Sequence, residues 1–196
     1  MSMSTLTRKL ALTTLIALTC TSEAWSWSST TGRGVVESPP NTFHIPRCGY
    51  GRKLGYVTVP WRTPITASNM IVAFEVAISP GGKIVGFESM GGTRPVQAAM
   101  LLQRRYDDYG LRKYNQGYRW WSRKREPLTA GYHHWTVPLQ RILWTGGGTQ
   151  LDYWWDMTRR YIGNVGVTFS DTQSAGHGVC MQAGTGYIRM DGLAFQ

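Results

Sequence analysis

Apolar and polar positions alternate with period two over residues 70–79. Val72, Phe74, Val76 and Ile78 point one way, and Ala73, Glu75 and Ala77 the other. That pattern predicts a half-buried strand. Pro80-Gly81-Gly82-Lys83 follows as a turn and 84–90 as a returning strand, so a hairpin is expected. Further short apolar segments lie at 56–61, 118–124, 133–139, 151–157, 165–170, 178–182 and 187–195, with Gly- and Pro-rich clusters between them. Residues 95–109 read two ways. Pro95 ahead of a run ending in Met100-Leu101-Leu102-Gln103 suits a helix start. The same run suits a strand, which is preferred because its neighbours are strands. This spacing predicts an all-β chain, a single β-sandwich or jelly roll over residues 48–196.

Ahead of that domain, residues 25–47 are polar and turn-rich, with Ser38-Pro39-Pro40-Asn41, and read as an irregular arm. Residues 1–24 read as a signal peptide: Arg8 and Lys9, an apolar run over 10–18, then Ser22-Glu23-Ala24 as a small-x-small cleavage site. The run is shorter than the roughly 20 residues that a bilayer span needs. A secreted or periplasmic protein with no transmembrane segment is expected. The alternative, an N-terminal core helix, lacks a capping signal. Cleavage after Ala24 would leave 172 of the 196 residues, enough for one domain with a full core. Cys48 and Cys180 remain, and two cysteines in an exported chain point to one disulfide. Two free buried thiols are the alternative.

Charge narrows the partners. The chain carries 21 basic and 11 acidic residues, a net +10. Such a protein is drawn to anionic surfaces: acidic polysaccharide, lipopolysaccharide, anionic lipid or nucleic acid. Arg104-Arg105, Arg123-Lys124-Arg125 and Arg159-Arg160 stand near aromatic residues. Export and the lack of a recognised motif argue against a specific nucleic-acid role. Nine Trp and ten Tyr against five Phe favour rings with a flat apolar face and a polar handle. They suit stacking on a pyranose, and ordinary cores as well.

Alternation assigns candidate faces. If 151–157 is a strand, Leu151, Tyr153, Trp155 and Met157 share the core side, and Asp152, Trp154 and Asp156 the exposed side. A Trp between two carboxylates is a sugar platform: the ring stacks and the acids accept hydroxyl protons. The alternative is Trp154 beneath a neighbouring loop. Arg119 and Trp121 likewise share a face, either as a ligand-recognising pair or as a structural cation–π contact. Gln103, Arg105, Glu75 and His134 could extend that patch. His133 and His134 point oppositely and, with His44 and His177, show no metal-ligand spacing, so no metal is expected. No nucleophile string and no obvious acidic pair names a catalytic set. No cofactor is expected.

Four segments resemble those of carbohydrate-binding modules with the galactose-binding-like jelly roll. They are the apolar strand with its Ser79-Pro80-Gly81-Gly82 turn, the stretch 131–139 with Gly131, Trp135 and Val137-Pro138-Leu139, and the closing pair 164–169 and 186–195. The resemblance implies an all-β fold and a glycan ligand. That family often closes with two acidic residues before an apolar pair. Here Asp191 stands beside Gly192, so a structural calcium gains no support. Three functions compete. The first is an exported carbohydrate-binding protein, with a polysaccharide or cell-surface glycan as partner. The second is a polysaccharide lyase or glycoside hydrolase on the same scaffold. The third is a basic, membrane-active or toxin-like protein. The first is preferred, and enzyme activity stays open.

Overall fold

The computed structural model describes residues 26–29, 33–87, 94–104, 119–146, 151–171 and 177–196. In chain order the first strands are β1 (Ser28–Ser29), β2 (Val36–Glu37), β3 (Thr42–His44), β4 (Tyr56–Pro60) and β5 (Asn69–Ile78). Next come β6 (Lys83–Gly86), β7 (Gln97–Arg104), β8 (Arg119–Ser122), β9 (Glu126–Pro127), β10 (Gly131–Pro138) and β11 (Trp144–Thr145). A short helix, α1 (Leu151–Asp156), runs into a π-helical turn, Met157–Tyr161. Strands β12 (Ile162–Ser170), β13 (Val179–Ala183) and β14 (Gly186–Phe195) close the chain.

These strands form an all-β sandwich. The larger sheet runs β1-β4-β12-β7-β8-β11, with β9 also paired to β7. The second runs β10-β5-β14-β3-β2, and β13 pairs with β6 alone. The two inner faces meet in one core. Val57, Met100, Leu102, Val165 and Val167 come from the larger sheet, and Met70, Val72, Phe74, Trp135 and Ile188 from the other. Strand β5 keeps its predicted alternation: Met70, Val72, Phe74 and Val76 are buried, while Ile71, Ala73, Glu75 and Ala77 are half-buried. The Cys48–Cys180 disulfide joins the start of the domain to β13.

Three expectations change. The turn at Ser79–Gly82 is present, with the Gly82 N–H donating to Ser79 O at 2.8 Å. Its two strands do not pair. Both edges of β5 are taken, by β10 and β14, so β6 leaves for β13. Residues 25–47 are not uniformly irregular. They supply β1, β2 and β3, and Trp27, Phe43 and Ile45 enter the core. At 95–109 the preferred strand does form, over Gln97–Arg104, and 105–109 lie outside the described residues. Residues Ala98 to Leu102 are buried on both faces, which makes an unbroken apolar run carrying no period.

The third change is the largest. Residues 151–157 were expected to be a strand, and Leu151–Asp156 is helix. Trp154, Met157 and Thr158 are buried while Trp155, Arg159 and Arg160 are exposed. That i, i+3, i+4 spacing is the apolar stripe of a helix. Asp156 and Arg160, four residues apart, pair at 3.7 Å, and Arg159 stands over the Trp155 ring at 4.5 Å. Both are neighbours on a helical surface. Thr158 Oγ1 donates to Trp154 O at 2.9 Å, satisfying a carbonyl where the helix widens.

Candidate functional site

The face of the larger sheet that turns away from the core carries the first cluster. Register aligns Pro60, Asn164, Gln103 and Arg119 in one row across β4, β12, β7 and β8. Two residues further along, Thr58, Gly166, Leu101, Trp121 and Thr145 form the next row. Gln103, Arg119 and Trp121 therefore share one face, as alternation required. Asn164 Nδ2 donates to Gln103 Oε1 at 3.3 Å. The Arg119 guanidinium stands 5.7 Å from the Tyr56 ring centre. Strands β12 and β7 lie between those residues, so the long side chain reaches across the face. Thr58, Ala99, Leu101 and Thr168 below it are buried, and Gln103, Arg119, Trp121 and Asn164 are half-buried. The accessible part of this face is thus a polar and aromatic patch beside covered residues. Gly146 (φ +110°) lets the Trp121 ring seat closely, since a Cβ there would lie 2.5 Å from Trp121 Cζ3.

Other predicted members of the patch lie elsewhere. Glu75 on β5 and His134 on β10 occupy the outer face of the second sheet. Glu75 Oε2 lies 3.0 Å from Arg189 Nη2, and Arg189 Nε lies 2.9 Å from Asp191 Oδ1. The Asp191 hydrogen bond first, then the charges of Asp191 and Glu75, hold Arg189 above the usual guanidinium range. His134 is exposed beside Ala73. These residues cannot extend the Trp121 face, because the core separates the two outer faces. Arg105 and the side chain of Asp152 lie outside the described residues.

Helix α1 reverses the expected roles of two tryptophans. Trp154, proposed as an exposed platform, is 1% exposed. It meets Trp120 edge-on at 5.3 Å and Trp144 at 5.6 Å. Trp155, assigned to the core, is 44% exposed. Arg141 caps this cluster 4.1 Å from the Trp120 ring centre. Burial, with the Arg123 charge second, holds Arg141 below the usual guanidinium range. Asp156 pairs with Arg160 on the outer side of the helix.

Trp155 stands at a cleft of about 440 Å³ between the helix and the chain that leads into β5. That volume falls in the range of small-molecule sites. Ile65, Leu139 and Trp154 supply apolar wall, and Thr66, Ser68, Gln140 and Arg159 supply polar groups. The Ile65 N–H donates to Thr158 O at 2.9 Å and the Leu139 N–H to Ser68 O at 2.8 Å, so backbone bonds brace both walls. Sequence alternation missed this site. The signal that could have found it is the helical spacing of Trp154, Met157 and Thr158.

Chemically, the cleft offers a ring for stacking, an amide and hydroxyls for directional hydrogen bonds, and a guanidinium for an anionic substituent. Among the described residues, no group of three or more His, Cys, Asp or Glu is placed to hold a metal ion. Nor is any helix among them long and apolar enough to cross a membrane.

No family model matches the chain, and no curated protein matches it. Among solved structures it is similar to a "xylan-binding module CBM15", with 15% identity, 85% of this chain and 92% of that chain covered, and a TM-score of 0.34.

Proposed function

We propose that the protein is an exported carbohydrate-binding protein whose preferred ligand is an acidic polysaccharide. The observation that carries this reading is Trp155, a 44% exposed indole at a 440 Å³ cleft with Ser68, Gln140 and Arg159 around it. A sugar ring presents an apolar C–H face and a rim of hydroxyls, and the cleft offers a complement to each. Arg159 and Arg119 add cations that a uronate or sulfate can engage. The patch of Gln103, Arg119 and Trp121 lies at the same end of the larger sheet, where β12 begins, and is the surface for neighbouring sugar units. Export is supported by the leader-like residues 1–24 and by the Cys48–Cys180 disulfide, which belongs to an oxidising compartment.

Affinity electrophoresis through gels containing neutral or uronate polysaccharides tests the reading. Retention of the wild type and its loss in Trp155→Ala, with no new reducing or unsaturated ends released, is the expected result. Migration unchanged by every polysaccharide, at low and high salt, removes the reading. New chain ends replace it with a lyase or hydrolase.

A further inference from the structure

The positive charge is not spread evenly. The described stretches 45–55, 79–87 and 177–186 contain Arg47, Arg52, Lys53 and Lys83 and no Asp or Glu. They come together where β6 pairs with β13 and the disulfide ties residue 48 to 180. Arg33 joins them through its bridge to Arg52, its N–H donating to Gly51 O at 3.2 Å. Elsewhere some exposed cations pair with carboxylates, Arg160 with Asp156 and Arg189 with Glu75 and Asp191. Among the described residues none of the five cations at this end has an acidic partner. Asp171, whose carboxylate lies against Gly86, is itself buried.

Several of these cations are held in place. The Arg52 guanidinium lies flat on Gly34, where an added Cβ would meet Nε at 2.9 Å and Nη2 at 3.2 Å. The Arg33 stem lies over Gly51 in return, 3.9 Å from the corresponding Cβ position. Arg47 Nη1 donates to Gln182 O at 3.3 Å. The Lys53 stem packs on Gly178 and its ammonium stands 4.9 Å from the Phe87 ring centre. At the tip of the loop, Tyr50 is 96% exposed.

We infer that this disulfide-braced basic end is a second binding surface, on which Arg33 and Arg52 receive the carboxylate or sulfate groups of an acidic polysaccharide. The inference rests on the carbohydrate reading above and deepens it, because it adds to the cleft's cations a second surface that favours acidic chains. Held guanidinium groups favour a planar oxyanion met in a fixed orientation. One exposed tyrosine offers little apolar surface for insertion into a bilayer, so a polysaccharide fits better than a membrane.

Binding of the full chain to polygalacturonate, to neutral xylan and to vesicles of anionic phospholipid tests this. R33Q/R52Q is expected to weaken polygalacturonate binding by about tenfold or more at low salt, to flatten its salt dependence and to leave xylan binding unchanged. R47Q/K83Q, which leaves Arg33 and Arg52 in place, is expected to give a smaller loss of the same kind. Unchanged polygalacturonate affinity in both variants, with Trp155→Ala reducing it, overturns the inference and leaves the cleft reading standing. Loss in R33Q/R52Q with none in Trp155→Ala does the reverse. Loss of vesicle binding with polygalacturonate binding intact overturns the inference in favour of a membrane partner. An unaltered melting temperature shows that each variant is folded.

Discussion

The indole of Trp154 packs edge-on against that of Trp120, with 5.3 Å between ring centres and 77° between planes. Trp154 is thereby locked under the sandwich, while Trp155 next to it turns outward. Truncating Trp154 to Ala opens a large cavity and is expected to cost about 3–5 kcal/mol in a denaturant titration. Trp155→Ala is expected to cost about 1 kcal/mol or less and to abolish glycan retention. A stable Trp154→Ala beside an unfolded Trp155→Ala would return both residues to a strand.

The disulfide closes 132 residues of sequence. In the chain-entropy account, opening so long a loop costs about 5 kcal/mol, and measured losses run at about 2–5 kcal/mol. Replacing Cys48 and Cys180 together by Ala should lower the denaturation midpoint accordingly. A midpoint unchanged by the double replacement would show that the brace contributes nothing to stability.

Gly166 lies in β12 opposite Thr58 of β4. A Cβ there would come within 2.1 Å of Val57 O, a backbone atom of the paired strand, so neither chain can yield cheaply. Gly166→Ala is expected to destabilise by about 1–3 kcal/mol or more. At Gly192 the nearest atom to an added Cβ is Ala73 Cβ at 3.8 Å, an ordinary contact. Gly192→Ala should therefore melt close to the wild type. Equal melting temperatures for the two variants would refute the close approach of β4 and β12.

Gln103 separates the Trp121 patch from the cleft as a ligand surface. It sits between Asn164 and Arg119 on the far face of the larger sheet. If an oligosaccharide runs onto that face, Gln103→Ala should weaken long oligomers by about two- to tenfold, the equivalent of one hydrogen bond. Single-sugar binding in the cleft should not change. Titration calorimetry with oligomers of increasing length checks this, and equal losses at every length would confine the site to the cleft.

Much of this molecule can be read from local pattern. Residues 70–79 announce a half-buried strand because one of its faces meets the core and the other does not. The parity of Arg119 and Trp121 also survives, since the pleat of a strand leaves adjacent residues no other arrangement. The pairing of Cys48 with Cys180 followed from there being two of them after the expected cleavage. Three things were decided only by tertiary structure. Strand partners are one: β5 shuns β6 because β10 and β14 already occupy its edges. The conformation of Leu151–Asp156 is another. Its aromatic run satisfies both a period of two and a helical stripe, and packing against Trp120 and Trp144 selected the helix. The last is the meeting of Arg33 with Arg52 and of Glu75 with Arg189, contacts between segments distant in sequence. Local alternation records which way a side chain points; only the folded chain decides what it meets there.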